Sequence, residues 1–170
     1  MGKRSDKNNR KRVAKMEVIR LNVNKEIIYA AEKGPIDTIF NFCINDKYYF
    51  PDSQWTDFTY PLLVDWTNIL LKYWLYGYKT FHLCFLDGPY KIKCKKRGDE
   101  LKLFFINFRE NKQIEWIGQI NYNYFLYIVY KALYKFARSI SNSKKLNYQY
   151  NECKIMLKRV RKIIVSTKDC

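Results

Sequence analysis

A chain of 170 residues with 48% hydrophobic and 18% aromatic residues has enough apolar area for one folded core and is short for two. That composition excludes disorder over most of the length. The formal charge of +16 is uneven. Residues 1–15 carry seven basic groups and one acid, and residues 144–170 carry eight and two, which leaves +4 for the 128 residues between.

Five cysteines, Cys43, Cys84, Cys94, Cys153 and Cys170, are odd in number and form no C-x-x-C pair. They read as reduced thiols of a cytoplasmic protein, with no zinc ribbon or redox motif. The basic start runs into Met16–Val23, whose interleaved charges leave no room for a signal-peptide core. The most apolar long segment, Tyr122–Ala137, is interrupted by Asn123, Lys131 and Lys135. A spanning helix needs roughly 20 mainly apolar residues, so this segment reads as a core helix and no membrane association is expected.

Residues 1–15 are expected to be a disordered basic tail, and residues 16–170 a single α+β domain. Met16–Tyr29 alternates weakly, as an edge strand or irregular lead-in would. Gly34-Pro35 breaks the chain. Ile36–Ile44, rich in β-branched and aromatic residues, predicts a strand that turns tightly at Asn45-Asp46 and returns over Lys47–Phe50. Pro51–Thr56 reads as a loop, after which Asp57 or Thr59 is placed to cap a helix. Leu62, Trp66, Ile69, Leu70 and Tyr73 recur at helical spacing, and Gly77 supplies the stop.

Four short strands follow, Thr80–Leu86, Tyr90–Lys96, Leu101–Phe108 and Gln113–Ile120, joined by the turn sequences Asp87-Gly88-Pro89, Arg97-Gly98-Asp99 and Glu110-Asn111-Lys112. Tyr90, Ile92 and Cys94 alternate with Lys91, Lys93 and Lys95, which gives that strand one buried and one wet face. A second helix over Asn121–Ile140 and a third over Gln149–Val165 complete the chain. The pattern predicts an antiparallel meander with about three helices packed on it.

Chemistry is hard to assemble from these residues. His82 is the only histidine and lies between apolar Phe81 and Leu83, so a half-buried structural role is expected. Asp87 with Glu100-Leu101-Lys102 has the composition of a metal-nuclease motif, and Glu110 to Lys112 repeats the Glu-x-Lys. Yet Asp87 and Glu100 fall at opposite ends of one strand, roughly 20 Å apart at about 3.3 Å per residue. Neither G-x-x-x-x-G-K-[ST] nor G-x-G-x-x-G is present. No catalytic residue, metal site or cofactor is therefore assigned, and the chain is read as a non-enzyme.

Binding is the remaining class. Lys91, Lys93, Lys95, Lys96 and Arg97, together with the basic ends, make a nucleic-acid-associated protein one alternative. The other comes from Tyr49–Trp66, YFPDSQWTDFTYPLLVDW, followed about twenty residues later by FLDGPY at Phe85–Tyr90. These segments resemble, over about Ile36–Phe108, small bacterial immunity proteins of polymorphic toxin and contact-dependent inhibition systems. The resemblance implies direct binding to a cognate toxin protein, with Asp52, Trp55, Asp87 and Tyr90 as partner-binding residues if loop and turn share one rim. Inhibitors of nucleases are usually acidic, so a basic chain implies a toxin with an acidic surface or one that is not a nuclease.

Overall fold

A computed structural model describes residues 18–24, 36–109 and 113–166. The expected basic tail, the Gly34-Pro35 break and the Glu110 to Lys112 turn lie outside the described residues. The class is α+β, with strands β1 (Ile19–Val23), β2 (Asp37–Ile44), β3 (Tyr48–Phe50) and β4 (Thr56–Phe58), then helix α1 (Thr59–Tyr76). Strands β5 (Thr80–Cys84), β6 (Tyr90–Arg97), β7 (Glu100–Asn107) and β8 (Gln113–Asn121) follow, then helices α2 (Tyr122–Ile140) and α3 (Asn147–Ser166).

The expected single meander resolves into two antiparallel sheets. In the first, β2 pairs with β1 along one edge, and β3 and β4 share its other edge. Asn45 and Asp46 both take positive φ, 53° and 58°, at the centre of the turn that the Lys47 amide closes onto the Ile44 carbonyl at 3.2 Å, in the three-residue connection between β2 and β3. Residues Pro51–Trp55 leave the edge between β3 and β4, and β2 holds them. The Phe40 amide donates to the Trp55 carbonyl at 2.8 Å, and the buried Asn41 donates its side-chain amide to the Ser53 carbonyl at 3.0 Å.

The second sheet is the meander β5-β6-β7-β8, with a bulge between Phe105 and Ile106. One contiguous hydrophobic cluster joins both sheets to all three helices. At its centre Trp66 of α1, fully buried, meets Phe40 and Phe42 of the first sheet at ring-centroid distances of 5.2 and 5.8 Å, and Phe85 at 5.3 Å. Its indole N–H donates to the Cys84 carbonyl at 2.8 Å, so the polar edge is satisfied. Burying one such ring removes some 200 Å² from water, about 5 kcal/mol of gross stabilisation.

Gly77 ends α1 in the left-handed region at φ 66°, and its N–H reaches the Tyr73 carbonyl. The helix N-terminus departs from expectation: neither Asp57 nor Thr59 caps it, because Phe58 holds the N-cap position with no side-chain bond. Asp57 is committed elsewhere, and Thr59 bonds Thr38 at 2.6 Å. Helix α2 is capped by Asn121, whose side chain accepts from the Asn123 and Tyr124 amides. No helix among the described residues is long and apolar enough to cross a membrane.

Candidate functional site

Two surfaces of the second sheet carry the residues that the sequence singles out. The first is a rim where the Pro51–Trp55 loop meets the turn between β5 and β6. Trp55 packs against Tyr90 at a centroid distance of 4.8 Å, and Tyr90 packs in turn on Phe50 at 5.6 Å. Gly88 lies close against the benzo end of the indole. A Cβ on it would sit 2.6 Å from one Trp55 ring carbon, and its φ of +78° is a conformation that side chains strain to adopt. Loop and turn thus interlock, and the four expected anchors divide. Trp55 and Tyr90 are half-buried in this mutual packing, whereas Asp52 and Asp87 are exposed. Asp52 also accepts the Gln54 amide at 2.8 Å, an Asx turn that shapes the loop.

Beneath the rim, Asp57 of β4 is almost wholly buried at 2% exposure. One carboxylate oxygen accepts the Phe58 amide at 2.7 Å, and the pair accepts the amides of Leu86 at 3.1 Å and Asp87 at 3.2 and 3.3 Å. Burial raises its pKa above the ordinary 3.8, and the amide donors, of Asp87 first, pull it back down. The Trp55 indole also favours the charged form, although its buried N–H makes no hydrogen bond of ordinary geometry. Asp57 is thus a clamp from one sheet onto the strand exit of the other.

The second surface is the outer face of the β5–β8 sheet, opposite the helices. The pairing register lines up His82, Lys93, Phe104 and Ile117 across the four strands, with Thr80, Lys95, Lys102 and Gln119 on one side of that row. On its other side run Cys84, Lys91, Ile106 and Ile114. The ammonium groups of Lys95 and Lys102 lie over the Phe104 ring at 5.7 and 5.4 Å, and that of Lys91 over Phe108 at 4.1 Å. Lys96 does not join this face. It points the other way, toward the rings of Tyr73 and Tyr122 at 5.7 and 5.8 Å, so the expected five-residue basic row divides by parity. Arg97 is exposed at the strand end, paired in register with Glu100.

His82 is exposed on this outer face, contrary to the half-buried position expected of it. Its apolar neighbours Phe81 and Leu83 point inward, and parity sends the imidazole outward. Its pKa lies below the ordinary 6.5, first through partial desolvation and then through the positive Lys91 and Lys93. Asp87 and Glu100 flank opposite ends of β6, since Glu100 pairs with Arg97 and Asp87 precedes Tyr90, a separation of roughly 23 Å. Among the described residues, no three His, Cys, Asp or Glu side chains gather closely enough to hold a metal ion. Cys43, Cys84, Cys94 and Cys153 are free thiols, and burial pushes Cys94 well above the ordinary thiol range and Cys153 up to about 12.

The reading of the residues missed Lys102, Phe104, Ile114 and Ile117 as members of one surface. Parity was the available signal, because each falls on the side opposite Leu101, Leu103 and Phe105, which are buried. Comparison with protein-family models, with curated proteins and with solved structures finds no match to this chain.

Proposed function

We propose that this chain is a non-enzymatic binding protein, an immunity protein that neutralises a cognate bacterial toxin by direct docking. The observation that carries the reading is the interlock of Trp55 with Gly88 and Tyr90, reinforced by Asp57 on the Leu86 and Asp87 amides. The two segments that resemble immunity proteins are about twenty residues apart in sequence, and Trp55 of one packs on Gly88 and Tyr90 of the other. The two segments thus form one structural element that a partner would meet as a unit.

Toxin and immunity functions are normally encoded together, so the test is co-expression with the product of the adjacent upstream gene. Growth arrest by that product alone, relieved by this chain, with a complex that survives high salt, is the expected result. Unrelieved arrest and no complex between the purified proteins would sink the reading.

The lysines of the outer sheet face favour a second reading, a nucleic-acid-associated protein. In that case an oligonucleotide binds with an affinity falling steeply with salt, since each neutralised phosphate of a single strand contributes about −0.7 to the logarithmic slope.

A further inference from the structure

We infer that the docking surface is the outer face of the β5–β8 sheet and that its occupant is a protein surface that sets carboxylates beside an apolar strip. The inference rests on the immunity reading above and names the face that reading would use. Ile114 and Ile117 are 49% and 47% exposed on this face, whereas Ile106, in the row of Ile114, is buried.

Charge gives the first argument. Lys91, Lys93 and Lys95 lie on one strand within about 13 Å, and Lys102 stands directly beside Lys95. Neighbouring lysines along the strand are about 7 Å apart, inside a Debye length of about 8–10 Å, so adjacent ammonium groups repel one another. The acid nearest the rows they occupy is Glu100 at the hairpin end, whose carboxylate accepts from the Gln119 side-chain amide in the Lys95–Lys102 row and leaves the Lys91 and Lys93 rows without an acid. The repulsion among the lysines is a standing cost that carboxylates on a partner would relieve.

The apolar residues decide between an acidic protein and a nucleic acid. Sequence-tolerant binding of single strands needs open aromatic faces on which bases stack. Here Phe104 lies under two ammonium groups and Phe108 under a third. The most open apolar groups are the isoleucines, which have no π-face and suit a protein's apolar side chains. On this face the two exposed isoleucines form an apolar strip on the edge strand β8, beside the lysines of β6 and β7, and apolar contact flanked by charge is common in protein interfaces.

The test measures affinity between this chain and the purified product of the adjacent upstream gene, beside a 12-nucleotide single-stranded RNA. Two triple reversals are compared: Lys93→Glu, Lys95→Glu, Lys102→Glu on the sheet, and Lys154→Glu, Lys158→Glu, Lys162→Glu on the outer side of α3. The same change in net charge is thereby placed on two different faces. The sheet reversal is expected to weaken protein binding by about 30-fold or more, mainly through association rate, and the α3 reversal by about threefold or less. Ile117→Ser, which leaves charge alone, should raise the dissociation rate about fivefold or more. Circular dichroism and a thermal melt check each fold, and if the triple variant does not fold, Ile117→Ser with Lys93→Ala decides.

Equal losses from both triple reversals, or loss only on Asp52→Lys with Asp87→Lys, would overturn the docking face and leave the immunity reading standing. RNA binding abolished by the sheet reversal, with no protein bound, would overturn the proposed occupant. Absence of any complex with the unmodified chain, together with unrelieved growth arrest, would remove the immunity reading and this proposal with it.

Discussion

The loop-turn rim and the outer sheet face meet at neighbouring residues, Tyr90 and Lys91, and use their aromatic rings in opposite ways. At the rim, Trp55, Tyr90 and Phe50 pack on one another and on Gly88, so the rings are spent inside the molecule. On the sheet face, the half-buried Phe104 and Phe108 lie under lysine ammonium groups, which a partner can displace or pair. A recognisable sequence motif here marks how two sheets are joined, whereas the more available surface carries no motif at all.

If that contrast is right, mutations should separate stability from recognition. The largest effect is expected from Gly88→Ala. A left-handed backbone costs a non-glycine residue roughly 1–2 kcal/mol, and the close approach of Trp55 adds about as much again. Urea denaturation should therefore show a loss of about 3 kcal/mol. Trp55→Ala alone should cost about 2–3 kcal/mol, less than a fully buried tryptophan because the ring is half-buried. The double variant should lose at least about 1 kcal/mol less than the sum, since removing the indole relieves the clash. Strict additivity would break the interlock.

Asp57→Ala leaves three backbone amides without their acceptor and should cost about 2 kcal/mol. The pH dependence has a defined sign. Because the folded pKa is raised above 3.8, the stability due to Asp57 is fully present below that value and lost as pH rises through the folded one. The difference in unfolding free energy between the unmodified chain and Asp57→Asn should therefore fall as pH rises from 3 toward neutrality. A difference that rises over this range would mean that the amide donors outweigh burial.

Much of the architecture could be read from the residues, and the failures share a cause. Asn45-Asp46, Gly77 and the alternation of β6 are local signals, and each has the expected geometry. Strand β4 escaped because Thr56, Asp57 and Phe58 are too few to show a period, and Asp57 before a helix looks like a cap. Its carboxylate is drawn instead to amides some thirty residues away, a long-range competitor that no local pattern reveals. The division into two sheets is equally non-local, since β4 returns to β2 and not to β5. By contrast, the outward placement of His82 follows from its neighbours' parity, and composition misled where alternation would not.

The smallest effects belong to the sheet face. Lys93→Ala or Lys95→Ala should change stability by no more than about 0.5 kcal/mol, as surface substitutions generally do. Lys93→Ala should nevertheless move the His82 titration, followed by NMR, upward toward 6.5, because it removes one of the positive charges that lower it. An unmoved titration would separate the imidazole from the lysine row.

The position of Asp57 also has a consequence for hydrogen exchange. The amides of Leu86 and Asp87 lie beyond the end of β5, where backbone N–H groups normally trade protons with solvent early. Here a carboxylate from the other sheet holds them, so deuterium can enter only when the two sheets come apart. Two amides in an exposed turn should therefore exchange as slowly as those of the core strands, and become a direct gauge of whether the sheets open separately or as one cooperative body.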